Sequence, residues 1–221
     1  MHIKKTKMSK LWPVPRKGRG KRFVAVPSHS TGKGISILFL LRDVLGIVKT
    51  RKEARVMTFG GMVKVNNVAR KDENFPCQVF DVLSLTAEKD SKYFRLEIKN
   101  RKFALVEISA VEANEKIVKI KGKKILGKGI VQMNLDDGQN ILTKEKFSVG
   151  DSIVLNTKEG KVVKVLPLKV GVKVEIVLGK HAGEKGELVG FEELVRGRDY
   201  KIKLEGGREV SLPYKTILVI G

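Results

Sequence analysis

The stretch Leu41-Arg42-Asp43-Val44-Leu45, followed by Thr50-Arg51-Lys52-Glu53-Ala54-Arg55 and then Gly61-Met62-Val63-Lys64-Val65-Asn66-Asn67, decides the reading of this chain. Leu38, Leu41 and Leu45 recur at three- and four-residue spacing, so a first helix is expected over Ile35 to Gly46. Thr50 and Glu53 stand three apart as a capping box, the hydroxyl accepting from the Glu53 amide and the carboxylate reaching back, which starts a second helix. Ala54 and Met57 take its inward face, and Gly60-Gly61 stops it. Val63 and Val65 then alternate up to Asn66-Asn67, a tight-turn pair from which Val68 and Arg70 return. Arg51 and Arg55, four apart, share one helix face with Lys52 beside them. A guanidinium fork binds two phosphate oxygens at once, so this ridge suits a polyanion. The acids near it in sequence are Asp43 and Glu53, too few to balance it.

Upstream, residues 1 to 42 carry 11 lysines and arginines and no acid. Pro13, Pro15 and Pro27 with Gly18, Gly20, Gly32 and Gly34 argue against regular structure there, so an extended arm that orders on a partner is expected. Trp12, with Phe23 nearby, has two readings: it stacks on a nucleic-acid base, or it packs against the protein itself.

Downstream of Val79 the apolar period falls to two, in short runs such as Phe94-Leu96-Ile98, Ile130-Met133-Leu135 and Ile153-Leu155. Asp136-Asp137-Gly138, Val149-Gly150-Asp151 and Lys158-Glu159-Gly160 punctuate them as turns. Short, evenly spaced strands of this kind predict small closed or partly closed β modules, with Pro167 as the break before the last one.

Across all 221 residues, 45 basic side chains face 24 acidic ones, a formal charge of +21, far beyond what solubility needs. The surplus points to nucleic acid first and an anionic membrane surface second. A hydrophobic fraction of 42% is enough to build cores, which excludes a disordered polycation. The single cysteine, Cys77, excludes an intrachain disulfide and fits a reducing compartment. The longest apolar run, Ile37 to Leu41, is far shorter than the roughly 20 residues of a membrane span. No apolar signal core follows the basic start, so a cytoplasmic protein is expected.

Catalytic readings fare poorly. Gly122 to Lys128 has the spacing of a phosphate-binding loop, but Gly129 stands where a hydroxyl is needed, and Ile130-Val131-Gln132-Met133 alternates like a strand. His2, His29 and His181 are too scattered for a metal cluster, and Cys77 reads as buried filler. No cofactor, metal or small-molecule substrate is expected.

The helix pair and hairpin quoted above resemble the alpha-L RNA-binding motif, whose second helix and following hairpin contact structured RNA; the match falls on Arg51, Lys52, Arg55, Lys64 and Asn66. Val172-Lys173-Val174 followed by Gly179-Lys180-His181-Ala182-Gly183-Glu184-Lys185-Gly186 is similar to the KOW motif, with Lys180, His181 and Lys185 at the loop tip. The whole chain resembles the archaeal and eukaryotic small-subunit ribosomal proteins of the S-four-e family. Further matches are Leu11 to Lys17, Ser28 to Gly32, Phe80-Asp81-Val82-Leu83-Ser84-Leu85 and Ile217 to Gly221. Two departures stand out. Thr31-Gly32-Lys33-Gly34 replaces a Gly-Pro-His element, and the chain stops at Gly221 without the basic tail of eukaryotic members, which favours an archaeal type.

The resemblance implies an α+β, multi-module fold: a basic extension (1–35), an alpha-L domain (36–92), a central barrel-like β domain (93–168) and an SH3-like KOW barrel (169–221). It implies a structural protein of the small subunit, bound to its ribosomal RNA and to neighbouring ribosomal proteins, with no membrane partner. The expected RNA-binding residues are Lys4, Lys5, Lys10, Arg16, Lys17, Arg19, Lys21, Arg22, Lys33, Arg42, Arg51, Lys52, Arg55, Lys64, Asn66, Arg70, Lys180, His181 and Lys185. Three other classes compete with this reading. An RNA-modifying enzyme has no room for a catalytic domain, a membrane-surface protein lacks a basic amphipathic helix, and a reversible elongation or rescue factor fits the two motifs alone.

Overall fold

The computed structural model describes residues 2–15, 23–30, 32–86, 91–127, 129–194 and 197–221. The chain divides into two compact units, Met1–Lys116 and Ile117–Gly221. It is mostly β, and the helix expected over Ile35 to Gly46 is shorter than its apolar spacing suggests. Ile35–Ser36 (β3) pairs with Pro76–Cys77 (β6), and the Ser36 side chain then accepts from the Phe39 amide. This cap starts helix α1 (Ile37–Phe39), which continues as a π turn over Leu40–Val44. Ile37, Leu38, Phe39, Leu40 and Leu41 are all buried, so this segment is the core element of the first unit.

Helix α2 (Arg51–Phe59) begins on the expected capping box, with both reciprocal bonds present. Ala54 is buried as expected, and Thr58 is the other buried residue of the helix, while Met57 is half-buried. Beyond it, Val63–Val65 (β4) turns through Asn66 and Asn67 into Val68–Ala69 (β5). Both asparagines hold positive φ, 51° and 64°, the conformation a two-residue hairpin needs for its twist to match the strands. Val82–Thr86 (β7), Ser91–Lys99 (β8) and Lys102–Glu107 (β9) complete an antiparallel sheet in the order β5-β4-β7-β8-β9. Strand β8 therefore runs through position 92, where the sequence reading divides two domains, and its unit extends to Lys116. Periodicity marks strands but not which sheet they join, because pairing is a long-range property.

The N-terminal stretch is less arm-like than its proline content suggests. His2–Lys4 (β1) pairs antiparallel with Phe23–Ala25 (β2), and Met8, Leu11 and Trp12 are buried. Of the two readings of Trp12, packing within the protein is the one observed: its ring lies 5.4 Å from that of Phe39 at 2% exposure. Lys102 Nζ donates to the Trp12 carbonyl at 3.0 Å, and the Phe103 amide to Leu11 at 2.7 Å.

The second unit holds two five-stranded sheets. In the first, Glu115–Gly127 (β10), Ile130–Leu135 (β11), Asn140–Thr143 (β12), Ser152–Asn156 (β13) and Lys161–Leu166 (β14) run in the order β12-β11-β10-β13-β14. Residues Gly122 to Gly127 are strand, so the phosphate-loop spacing has no helix behind it. The second sheet orders Lys173–Ile176 (β15), Lys185–Leu194 (β16), Gly197–Leu204 (β17), Glu209–Pro213 (β18) and Ile217–Val219 (β19) as β18-β17-β16-β15-β19. Strands β13 and β14 serve both cores. Ile153, Leu155 and Val165 pack with Ile120 and Met133, while the alternate residues Val154 and Leu166 pack with Val174, Ile176 and Ile202. The two-residue period of a strand is what lets one ribbon face two cores. Pro167 follows β14 as expected, yet the sheets on either side belong to one unit. The buried Lys119 side chain adds to this by donating to the carbonyls of Tyr214 and Ile217.

Candidate nucleic-acid interface

Helix α2 presents Arg51, Lys52 and Arg55, all exposed, on a frame fixed by its cap. The Glu53 carboxylate accepts from the Lys49 amide at 2.8 Å and from the Thr50 hydroxyl at 3.0 Å. These bonds favour the ionised form and hold the Glu53 carboxyl below the ordinary carboxylate range, which complements the positive start of the helix. The ridge is less uniform than its spacing implies. Arg51 Nε and Nη2 donate to one carboxylate oxygen of Glu73, at 3.0 and 2.7 Å. The Glu73 side chain is 7% exposed, while that of Arg51 keeps 59%. Glu73 lies 22 residues away in sequence, which is why counting nearby acids missed it. Lys52 has no such tie among the described residues, and Arg55 lies 5.3 Å from the exposed ring of Phe59, a cation–π contact that leaves the charge facing water.

The other expected residues divide by environment. Lys4 and Lys10 are exposed, and so is Lys33 in the turn after Ser30. Lys5 and Arg42 line one depression of about 230 Å³ in the first unit, together with Phe23 and Asp43. Arg42 also forms an ion pair with its neighbour Asp43 at 2.7 Å. Lys64 is half-buried in β4. Asn66 spends its side chain internally, donating to Asp81 at 2.8 Å and accepting from the Val82 amide at 3.0 Å. The guanidinium of Arg70 lies 4.2 Å over the Phe75 ring. Arg16, Lys17, Arg19, Lys21 and Arg22 lie outside the described residues.

In the second unit, Lys180 and His181 occupy the turn between β15 and β16, where Gly179 and Gly183 hold φ of 100° and 88°. Positive φ at both ends of the turn is open to glycine at little cost, so the loop closes tightly there. His181 Nδ1 lies 3.0 Å from a Glu184 carboxylate oxygen. Lys185 does not stand at the tip: it is the first residue of β16, exposed and paired with Glu175. Lys121 and Lys124 are exposed cations on β10 that the sequence reading leaves unassigned. Their available signal is the lysine-rich run from Lys119 to Lys128.

Nothing among the described residues gathers three or more His, Cys, Asp or Glu in metal-binding geometry. Burial pushes the Cys77 thiol well above its ordinary range, with the Asp81 charge adding to the effect, so it is a packing residue and a poor nucleophile. What the surface does offer is charge. The first unit carries 25 lysines and arginines against 11 acids, the second 20 against 13.

A mostly β chain of small modules with a cationic surplus in each unit is of the polyanion-binding class. Comparison with known proteins places it further. The profile of the ribosomal family S4e matches residues 90–162. The small ribosomal subunit protein eS4 of Archaeoglobus fulgidus is 32% identical over an alignment covering all of this chain and 93% of that protein. Its counterpart in Haloarcula marismortui is 34% identical over 85% of this chain and 80% of its own length. The crystal structure of the 30S ribosomal protein S4e from Thermoplasma acidophilum shares the fold, with a TM-score of 0.72 at 21% identity, covering 86% of this chain and 95% of that one. The chain belongs to the S4e family of ribosomal proteins, and it is not an enzyme.

Proposed function

We propose that this chain is a structural constituent of the small ribosomal subunit, binding and stabilising small-subunit ribosomal RNA, with neighbouring ribosomal proteins as its other partners in the cytoplasmic ribosome. In this reading residues 36–92 act as the alpha-L module and residues 169–221, which hold the sheet of β15 to β19, as the KOW module. The observation that carries the proposal is the cationic face of α2, where Lys52 and Arg55 stand exposed on a rigidly capped helix in a unit with 25 basic side chains against 11 acids. Binding is electrostatic at its base. Each phosphate neutralised releases condensed counterions, giving a salt slope of about 0.7 to 0.9 per contact. Recognition comes from RNA shape and backbone geometry, with Lys4, Lys5, Lys10, Lys33, Arg42, Lys64, Arg70, Lys180, His181 and Lys185 as supporting contacts. Arg51 has a divided role, since its Glu73 partner draws part of its charge into the fold.

Two experiments test this. Sedimentation of a native lysate on sucrose gradients, with the chain followed by quantitative mass spectrometry, should place it on the small subunit at near-stoichiometric level. That association should persist at moderately high salt. Release by salt from a substoichiometric population would instead identify a transient factor. Replacing Lys52 and Arg55 together by Ala should reduce the salt slope for small-subunit RNA by about 1.5, two contacts at the unit slope above. Arg51→Ala should affect the slope less and stability more, because it strands the buried Glu73 carboxylate. An unchanged slope in a folded double variant would remove α2 from the interface.

A further inference from the structure

The lysine-rich segment that is spaced like a phosphate loop is instead the far half of a projecting hairpin. Strands β10 and β11 pair from Ile120 with Leu135 out to Gly127 with Ile130, past the core they belong to. Ile120, Met133 and Leu135 are buried, whereas Ile125 is 76% and Leu126 49% exposed. Direct cross-strand partners share a face of a sheet, so the register sorts the side chains. Val131, Met133 and Ile141 pack on the core side. The alternate residues form two rows on the outer face, each running across three strands: Lys124, Gln132 and Leu142, then Gly122, Asn134 and Asn140.

These rows carry a cation and amides and no carboxylate. Between Glu115 and Asp136 the chain holds six lysines and no acid. Lys116 and Lys119 are buried, and Lys123 is committed inward, its Nζ donating to the Phe147 carbonyl at 3.1 Å and lying 4.8 Å over that ring. Lys124 and Lys121, the latter in the bulge between Ile120 and Gly122, are exposed, and neither pairs with a carboxylate among the described residues. Asp136 and Asp137 sit in the β11–β12 turn, at the opposite end from Gly127, and Glu145 beyond β12 stands between Lys144 and Lys146. Gln132 Nε2 donates to Asn134 Oδ1 at 2.8 Å, which leaves the Gln132 carbonyl and the Asn134 amide group with no further bond among the described residues. Gly122 keeps the space beside that amide open, since a Cβ there would stand 3.4 Å from Asn134 Nδ2. An open face of amides rimmed by lysines fits duplex RNA, whose wide, shallow minor groove displays 2′-hydroxyls between two lines of phosphates. Unpaired bases are held by stacking on aromatic rings, and these rows contain none.

We propose that the outer face of β10, β11 and β12 is a second RNA contact of this chain, seated on the minor groove of a base-paired segment, with Lys121 and Lys124 on phosphates and Gln132 and Asn134 on 2′-hydroxyls. This rests on the chain binding small-subunit RNA. Titration of the purified full chain against that RNA over a range of salt reads the cations. Lys121→Ala combined with Lys124→Ala should reduce the salt slope by about 1.5, two contacts at about 0.7 to 0.9 each. Asn134→Asp, equal in shape but negative, should weaken binding about tenfold with an unchanged circular dichroism spectrum. To locate the contact, p-benzoylphenylalanine is placed at the exposed Leu142 of the full chain in cells, and purified small subunits are irradiated. Reverse-transcription stops should fall in a base-paired segment of the RNA. Stops at unpaired nucleotides, a cross-link to protein, none in subunits that contain the chain, or an unchanged slope in the folded lysine variant overturns this proposal alone. Absence of the chain from purified subunits, or no RNA binding by the unaltered chain, overturns the underlying reading, and this one with it.

Discussion

Two turns, one in each unit, solve the same local problem with different means. Both bring the chain into a central strand through an aspartate: Asp81 before β7 and Asp151 before β13. In both, the aspartate side chain accepts from the amide three residues earlier, Gln78 at 2.7 Å and Ser148 at 2.8 Å, and the aspartate amide donates back to that residue's carbonyl. Both need a left-handed residue just before the aspartate. In the second unit it is Gly150 at φ 104°, which pays no steric cost. In the first it is Phe80 at φ 67°, held there by burial of its ring and by the bond from its amide to the Leu96 carbonyl at 2.7 Å. Local chemistry selects glycine, but a well-packed side chain can hold the same conformation when its surroundings fix it.

The aspartates differ in what shares their second oxygen. Asp151 accepts there from the Leu168 amide at 2.9 Å. Asp81 accepts from Asn66 at 2.8 Å and from the buried Lys116 ammonium at 2.7 Å. The first unit therefore depends on a buried ion pair where the second uses neutral donors. Asp81→Ala removes one partner of a buried ion pair, with Lys116 Nζ 2.7 Å away, and should cost about 3 to 5 kcal/mol. Urea unfolding followed by fluorescence of Trp12, the only tryptophan, reads this unit directly. Asp151→Ala should cost about 1 to 3 kcal/mol, the penalty for backbone donors left without their acceptor, read by far-ultraviolet circular dichroism. Equal losses would break the comparison. Gly150→Ala forces a Cβ into the left-handed region and should cost about 1 to 2 kcal/mol by the same measurement. No measurable loss would mean that the turn relaxes.

Smaller effects belong to the cap of α2. Thr50→Ala should lower stability by about 1 kcal/mol in urea unfolding. Because the Glu53 carboxyl is held low in the folded chain, its contribution is full above the unfolded carboxylate value of about 4.3 and is lost as pH falls through the lower folded one. Thr50→Ala should therefore also flatten the stability–pH curve in that acidic window. A parallel curve would show that the Lys49 amide alone sets the shift. Finally, Cys77 should resist iodoacetamide in the native chain at pH 8 and react once urea exposes it, and native labelling would show that β6 opens.

The frame of α2 was legible in advance, because a capping box and an arginine pair four apart are local patterns. Glu73 was not, since the contact that ties Arg51 spans 22 residues. Asn66 was placed in the correct turn but in the wrong company: only the fold brings Asp81 within reach of its amide. Trp12 looked like an arm residue because prolines surround it, while its neighbours in space, Phe39 and Lys102, are distant in sequence.

By itself the sequence determined the cationic surplus, the capped basic helix, the Asn66-Asn67 turn and the strand-rich remainder. Each follows from residue chemistry or from spacing within a few positions. Only the tertiary structure decided that β8 and β9 complete the sheet of the first unit, that β13 and β14 serve two cores, and that Lys116 and Lys119 face inward. Those choices turn on which distant surfaces bury one another and which buried charges find partners, and no spacing along the chain encodes them.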